Sequence, residues 1–133
     1  MSMAADESKQ KGLHGLVPMA HVADVQKAID FYRLLGFEVG NTFEHGGRLN
    51  WAWLKNGDAH LMVTRTARPM NPDAQDILFY MYAEDVVKYR EELIARGVKV
   101  SELKVQPWAK KGGFRLKDVD GYDLFVAQAG KDG

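Results

Sequence analysis

Apolar and polar residues follow each other along this chain in a pattern that changes from strand-like to helical. From Leu16 to Val22 the residues are almost all apolar, as in a strand covered on both faces. Asp24 then stands where an N-cap carboxylate accepts free amide hydrogens, and Gly36 stands where a helix ends in a left-handed residue. Between them, apolar residues recur at helical spacing at Val25, Ala28, Ile29, Tyr32 and Leu35. The stretch therefore predicts a strand followed by a capped helix.

The same pattern occurs a second time, over residues 77–98. It has a strand-like run, Asp85 at the cap position and Gly97 at the stop. Asp24 and Gly36 are twelve positions apart, and so are Asp85 and Gly97. Two unrelated helices rarely share a cap, an apolar stripe and a stop at one spacing. The chain is therefore predicted to contain two copies of one supersecondary module.

Three further strands are predicted in each module. In the first module they span 37–43, 49–54 and 59–65, with a glycine turn at 46–47 and a hairpin turn at Asn56-Gly57. In the second module they span 98–103, 113–117 and 122–127, with a loop containing Pro107 and Trp108 and a turn at 118–121. Each half is therefore predicted to be βαβββ, and the fold class is α+β, with two curled mixed sheets.

The chain divides into a flexible N-terminal tail over 1–13, a single domain over 14–128 and a C-terminal tail over 129–133. Within the domain, module one spans 14–66 and module two spans 76–128. The prolines at 69 and 72 mark a linker over 67–75. Because modules of roughly 60 residues would be marginally stable alone, we expect the two modules to share an interface.

Composition and charge narrow the classes of function. The chain has 18 basic and 18 acidic residues, so its formal net charge is zero and predicts neither nucleic-acid binding nor attraction to an acidic membrane. Cysteine is absent from the sequence, which excludes disulfides, thiolate metal sites and a cysteine nucleophile. The first dozen residues lack an apolar segment. We therefore expect neither a signal peptide nor a membrane anchor, and a cytoplasmic protein.

The order of several short motifs resembles that of the vicinal oxygen chelate superfamily, which contains glyoxalase I, extradiol dioxygenases, fosfomycin resistance proteins and bleomycin resistance proteins. The segments are DVQKAIDFYRLLGF, NGDAHLMV, PW and DVDGYDLFVAQ, and the resemblance spans 16–128. It implies that each module curls its four strands around a cavity and that two modules together form a cup-shaped site. It also implies a homodimer, with modules paired within or between chains.

The resemblance further implies where metal ligands would lie. Metal-dependent relatives carry a His, Gln or Glu early in the first strand of each module and another ligand, often Glu, in the last. In this sequence those positions hold Val17, Met62, Ile77 and Phe125. None offers oxygen or nitrogen to a divalent cation, so we expect no metal and no cofactor. This resembles the bleomycin resistance branch, whose members bind without chemistry, and argues against glyoxalase, dioxygenase or fosfomycin transferase activity.

Strand alternation turns His21 and His60 towards the predicted cavity. The resemblance places Val17 beside Met62 on parallel strands, which separates the two imidazoles by about 20 Å at ~3.3 Å per residue. We therefore expect both histidines to be wall residues rather than joint ligands of one ion.

The same alternation predicts an aromatic pocket with few polar groups, which is typical of a small-molecule site. The predicted ligand-binding residues are His21, Trp51, Trp53, His60, Met62, Phe79, Trp108, Arg115, Asp123 and Phe125. Two alternatives stay open. Trp51 and Trp53 could instead fill the space between the modules, and Trp108 could pack on the surface instead of covering the pocket.

Two functional hypotheses follow. The first is a non-enzymatic protein of the bleomycin resistance type that binds or sequesters a small apolar or aromatic molecule. The second is an enzyme of the same superfamily, of lyase or dioxygenase type, that is metal-free or has a displaced metal. His21, His60 and Arg115 keep the second hypothesis open, although no catalytic residue is assigned. Bleomycin itself is not the expected ligand, because a cationic drug favours an acidic groove and this chain is neutral.

Overall fold

The computed structural model describes residues 12–130, so the predicted tails over 1–13 and 129–133 lie outside the described residues apart from two positions each. In chain order the elements are β1 (Met19–Val22), α1 (Val25–Leu34), β2 (Glu38–His45), β3 (Arg48–Asn56), β4 (Ala59–Arg65), a one-turn 3-10 helix (Pro72–Ala74), β5 (Leu78–Ala83), α2 (Val86–Ala95), β6 (Lys104–Gln106), β7 (Ala109–Lys117) and β8 (Asp123–Gln128). Each half has the predicted βαβββ order. Neither α1 nor α2 has the length and apolar character needed to cross a membrane.

The eight strands form two four-stranded sheets of the same design. The strand orders are β1-β4-β3-β2 and β5-β8-β7-β6. In each sheet the first and last strands of the module pair in parallel, and the remaining neighbours pair antiparallel. The predicted α+β class with two mixed sheets is therefore confirmed. Neither sheet closes on itself.

Both helices begin and end where the sequence predicts. The Asp24 carboxylate accepts a hydrogen bond from the Lys27 amide at 3.1 Å, and Asp85 accepts from the Lys88 amide at the same distance. Each side chain thereby satisfies an amide that has no partner within the helix. At the other ends, Gly36 has φ +99° and Gly97 has φ +84°, which a residue with a Cβ rarely adopts.

The two modules share one hydrophobic core, which lies on the helix-covered sides of both sheets. Module one contributes the buried face of α1 at Val25, Ala28, Ile29 and Tyr32. Polar contacts also join the modules on these sides. The Tyr89 hydroxyl donates a hydrogen bond to the Leu35 carbonyl, and the Arg96 guanidinium donates one to the Leu34 carbonyl at 2.8 Å. The helices therefore lie at the junction of the modules.

The boundaries of two strands differ from the prediction in module two. The sixth strand was expected over 98–103 but spans Lys104–Gln106. The reason is that the amide of Val98 bonds to the Leu93 carbonyl at 2.9 Å and closes the end of α2. The seventh strand begins at Ala109 rather than at 113, which reduces the predicted loop around Pro107 to a hairpin turn.

Candidate functional site

Each sheet has one face under a helix and one face that the described part of the chain leaves uncovered. In module one, register places Met19 beside Met62 and Met62 beside Trp53. The neighbouring row runs from His21 through Thr64 to Trp51. We call this surface the first open face, and its side chains are Met19, His21, Phe43, Trp51, Trp53, His60, Met62 and Thr64. It is mainly apolar and aromatic.

A tryptophan pair occupies the centre of the first open face. The rings of Trp51 and Trp53 meet edge to face, with centroids 6.5 Å apart. The Nε1–H of Trp53 donates a hydrogen bond to Nδ1 of His60 at 2.9 Å. Both tryptophans are half-buried, because each presents one side to the open face. The pair forms an exposed aromatic surface with the His60 imidazole at one edge.

The second sheet has an open face of different character. Its side chains are Leu78, Tyr80, Tyr82, Arg115, Lys117, Asp123 and Phe125. The Tyr80 ring lies 5.0 Å from the Phe125 ring, and the Arg115 guanidinium stands 5.5 Å from the same ring centre. Lys117 and Asp123 form a salt bridge of 3.0 Å. This second open face therefore combines aromatic rings with fixed charges.

The predicted orientation of β5 is wrong. Phe79, predicted to bind ligand, packs against the shared core and tilts onto Tyr122 with ring centroids 5.6 Å apart. The prediction placed Ile77 and every second residue after it towards the cavity, but Ile77 lies before the strand and is exposed. Register fixes the opposite phase, because β8 places Leu124 beside Phe79 on the core side and Phe125 beside Tyr80 on the open side. Sequence reasoning therefore missed Tyr80 and Tyr82.

The other predicted residues divide between the two faces. His21, Trp51, Trp53, His60 and Met62 lie on the first open face, whereas Arg115, Asp123 and Phe125 lie on the second. The tryptophans Trp51 and Trp53 do not fill the space between the modules, since the modules meet through their helix-covered sides. Trp108 belongs to neither face. It is 55% exposed on the turn between β6 and β7.

The donor atoms at the positions implied for a metal do not fit a divalent ion. Register corrects the expected neighbour of Met62, which is Met19 rather than Val17, and it places Phe125 beside Tyr80. Neither pair contains a carboxylate or an imidazole. Among residues 12–130, no three His, Cys, Asp or Glu side chains lie close enough to hold an ion. That the protein works without a metal remains a prediction.

The two histidines of the first open face are also too far apart to share an ion. His21 lies opposite Thr64, four residues beyond His60 on β4. That spacing corresponds to about 13 Å along the strand at ~3.3 Å per residue, which replaces the larger separation expected from the sequence. The interpretation of both side chains as wall residues is unchanged.

Buried carboxylates fix the turn between β7 and β8 and join it to α1. The Tyr32 hydroxyl donates to Oδ2 of Asp118 at 2.7 Å. Oδ1 of Asp118 accepts from the amides of Asp120 and Tyr122, both at 2.9 Å. Burial raises the pKa of both Asp118 and Asp120 above the usual range. Burial beside Asp118 also raises the pKa of Tyr32, so its hydroxyl remains a donor. The cluster is structural, because it lies on neither open face.

An acidic groove adjoins the second open face. It has a volume of about 810 Å³ and lies between the hairpin turn after β3, the end of β5 and the start of α2. Tyr80 and Tyr82 line it, and its charged side chains are Asp58, Glu84, Asp85, Lys88 and Glu92. Four carboxylates therefore face one ammonium in this groove. The zero net charge of the chain conceals this local excess of negative charge.

Comparisons with known proteins bear on the family and the fold of this chain. The family model described as Glyoxalase/Bleomycin resistance protein/Dioxygenase superfamily matches residues 17–125. No curated protein is significantly similar to this chain in sequence.

Solved structures show the same fold. A bleomycin-binding protein complexed with bleomycin is 20% identical, with a TM-score of 0.74, over 89% of this chain and 100% of that one. A bleomycin resistance determinant encoded on the transposon Tn5 is 20% identical, with a TM-score of 0.73, over 87% and 98%. TnmS3, an antibiotic binding protein from Streptomyces sp. CB03234, is 23% identical, with a TM-score of 0.68, over 89% and 97%.

Proposed function

This chain belongs to the glyoxalase/bleomycin resistance protein/dioxygenase superfamily, and we propose that it binds and sequesters a small, flat apolar or aromatic molecule without transforming it. The observation that carries the proposal is the uncovered pair of Trp51 and Trp53 on the first open face. A half-buried aromatic surface offers a planar ligand a large contact area at low entropic cost. Among residues 12–130, no three His, Cys, Asp or Glu side chains come together to hold an ion, which supports binding over the family's metal-dependent reactions.

We also propose that the complete binding site forms between two copies of the chain. The modules of one chain meet through their helix-covered sides, so neither open face covers the other. Large apolar side chains are consequently exposed, including Met19 at 49%, Phe43 at 55% and Tyr82 at 62%. Placing the first open face of one protomer against the second open face of its partner would cover these side chains and enclose a pocket. A closed two-fold pair is the commonest oligomer of soluble proteins.

Sedimentation velocity tests the dimer. We expect a dimer at micromolar concentration that weakens when Phe43 is replaced by Glu, because the new carboxylate would be buried at the interface. The substitution Val87→Glu is the matched control and should leave the dimer intact, since Val87 is 49% exposed on α2, which covers the side of the second sheet opposite to its open face. Purely monomeric wild-type protein would refute the pairing.

The charges around the second open face bear on the class of ligand. The net neutrality of the chain argued against a cationic molecule, but the acidic groove next to Tyr80 and Tyr82 provides a local site for positive charge. Two structurally similar proteins bind bleomycin and an antibiotic, respectively. The preferred ligand of this chain is accordingly an aromatic molecule that carries a cationic group.

Tryptophan fluorescence tests the binding proposal. Titrating a library of planar aromatic compounds, with and without cationic groups, should identify ligands that quench the emission. Trp53→Ala should weaken their binding about fivefold, since stacking contributes roughly 1 kcal/mol beyond the buried area. It should lower the free energy of unfolding by less than about 2 kcal/mol, because the ring is not in the core. Trp108→Ala, which removes a tryptophan outside both faces, is the control and should keep the affinity.

The opposite result would identify the tryptophans as packing residues. In that case no compound quenches the emission, and Trp53→Ala costs about 3 to 5 kcal/mol of stability, as truncation of a core aromatic does. A ligand that binds equally well to the Trp53 and Trp108 variants would also contradict the proposed location.

A further inference from the structure

A second groove lies at the other end of module one, away from the acidic groove. The linker that follows β4 folds back over the ends of β1 and β4 and leaves a groove of about 570 Å³. Its lining residues include Arg65, Arg68, Asn71, Gln75 and Tyr122. We call it the linker groove. His21, at the end of the first open face, lies on its border.

The lining of the linker groove is basic. Arg65 and Arg68 contribute two guanidinium groups, and none of the lining side chains is a carboxylate. Within residues 12–130, neither arginine takes part in a salt bridge. Arg65 is the more constrained of the two, because its Nε is buried and has no hydrogen-bond acceptor in the described part of the chain. A buried donor without an acceptor costs free energy unless a ligand or solvent satisfies it.

Asp120, which is held at the end of β1, forms no salt bridge with these arginines. Asp120 bonds through Oδ1 to the Ala23 amide at 2.9 Å, next to the strand residue that pairs with Arg65. Burial nevertheless raises the pKa of Asp120, as expected for a carboxylate that has no cation beside it. Arg65 and Asp120 are thus separate charges, and the positive charge of the groove is available to a ligand.

The linker itself is held in place, so the groove is formed before any ligand arrives. Asn71 caps the 3-10 helix by accepting from the Asp73 amide at 3.1 Å. Gln75 donates to the Asp120 carbonyl at 3.3 Å and joins the linker to module two. Gly121, with φ +88°, lies so close to Pro72 that a Cβ would overlap the proline backbone. These contacts position the two arginines and the amide groups on a fixed frame.

From this arrangement we propose that the linker groove is a second binding site, which takes a compact oxyanion such as a phosphate group or a carboxylate. Arg65 and Arg68 both line the groove and supply two guanidinium groups, the second from the exposed rim. Arginine is suited to this task because its fork of N–H donors matches the oxygens of phosphate and carboxylate. The site is distinct from the two open faces, so it does not depend on the proposed aromatic ligand.

The side-chain Nε–Hε signals of the arginines in a proton–nitrogen correlation spectrum provide the test. Inorganic phosphate and acetate are titrated separately into the full-length protein at constant ionic strength, with chloride as the reference anion. We expect saturable shifts of the Arg65 and Arg68 signals, and the tighter of the two probes identifies the kind of oxyanion. Arg68→Gln should weaken binding about tenfold, because it removes a charge-assisted hydrogen bond from the rim without touching the core.

Two further variants make the test decisive. Arg65→Lys keeps the charge but removes the planar fork of N–H donors, and it should also weaken binding about tenfold. Arg33→Gln, on the exposed side of α1, is the matched control and should bind like the wild type. If Arg65→Lys fails to fold, Arg68→Gln alone decides. Shifts that do not saturate, that appear equally at Arg33, or that persist with unchanged affinity in Arg68→Gln would overturn the proposal.

Discussion

The two modules have the same arrangement of strands and helix, yet they differ at one helix position that contributes to the contact between them. Eight residues after the N-cap, module one has Tyr32 and module two has Leu93, and both are fully buried. Leu93 packs within the core, whereas Tyr32 also reaches across to Asp118 in module two. The spacing of caps and glycines is thus the same in the two copies, while one of the contacts between them depends on a residue that is present in one copy only.

The two helices also differ in how much they bury. Helix α1 buries four residues, whereas α2 buries only Val86 and Leu93. The open faces diverge in the same way, because the first is mainly apolar and the second carries Arg115 and the Lys117–Asp123 pair. Only the helix-covered side of each sheet is constrained by the shared core. The open side is free to change, and the difference between the faces is where we expect ligand specificity to arise.

The largest effect should come from removing the carboxylate that module two offers to Tyr32. Asp118→Ala would leave the buried Tyr32 hydroxyl and two turn amides without their acceptor. At roughly 1 to 3 kcal/mol for each unsatisfied buried group, we expect the free energy of unfolding to fall by about 3 kcal/mol or more. Urea denaturation measures it. The control is Asp123→Ala, whose exposed salt bridge should contribute less than about 1 kcal/mol. Equal losses in the two variants would contradict the proposed role of Asp118.

A smaller loss should follow when only the hydroxyl of Tyr32 is removed. Tyr32→Phe keeps the ring and deletes one hydrogen bond to a carboxylate, so we expect a decrease of about 2 kcal/mol in the free energy of unfolding. The matched variant is Tyr89→Phe in α2. The Tyr89 hydroxyl donates to a neutral carbonyl, and burial raises the pKa of Tyr89 to about 12. Its loss should be about 1 kcal/mol. A larger loss at Tyr89 would reverse the ranking of the two contacts between the modules.

Most of the fold could be predicted from the sequence because its signals are local. Asp24 and Asp85 cap the helices, Gly36 and Gly97 end them, and the Asn56-Gly57 turn joins β3 to β4, as predicted. The signals failed where a residue serves two elements. Val98 has strand character, but its amide closes α2, and the sixth strand therefore begins later.

The candidate site was harder to predict because it depends on register between strands. Alternation along a single strand gives two possible phases, and only the partner strand decides between them. For β3 the buried Ala52 and Leu54 fixed the phase correctly, which placed Trp51 and Trp53 on the open face. In β5 both phases are apolar and aromatic, so the composition of the strand could not distinguish Phe79 from Tyr80. The two grooves depend on contacts between distant segments and have no sequence motif.

A moderate effect on binding should distinguish the charged open face from the apolar one. Arg115→Ala should weaken a planar aromatic carboxylate by about 1 kcal/mol, roughly fivefold, because the exposed guanidinium both stacks on Phe125 and offers charged donors. A neutral ligand of the same shape should lose less. Lys117→Ala is the control, since that ammonium is paired with Asp123. Fluorescence titration measures both affinities. An equal effect on the charged and the neutral ligand would show that Arg115 contributes packing alone.

The smallest effect should be a dependence of stability on pH that arises in module two. Its turn between β7 and β8 contains buried Asp120, whereas the Asn56-Gly57 turn of module one contains no buried carboxylate. Burial raises the pKa of Asp120 above 3.8, and Asp118 and Asp24 add to the rise. The folded protein therefore binds this proton more tightly than the unfolded chain, so the associated stability is complete below pH 3.8 and is lost as the pH rises through the raised pKa.

The test compares the wild type with Asp120→Asn, whose side chain cannot lose a proton. As the pH rises from acidic to neutral, the free energy of unfolding of this variant should increase relative to that of the wild type. Urea denaturation at a series of pH values measures the difference, with exposed Asp76→Asn as the control. Parallel pH profiles for the wild type and Asp120→Asn would show that the buried carboxylate titrates as it does in the unfolded chain, and Asp120 would then make no pH-dependent contribution to the difference between the two modules.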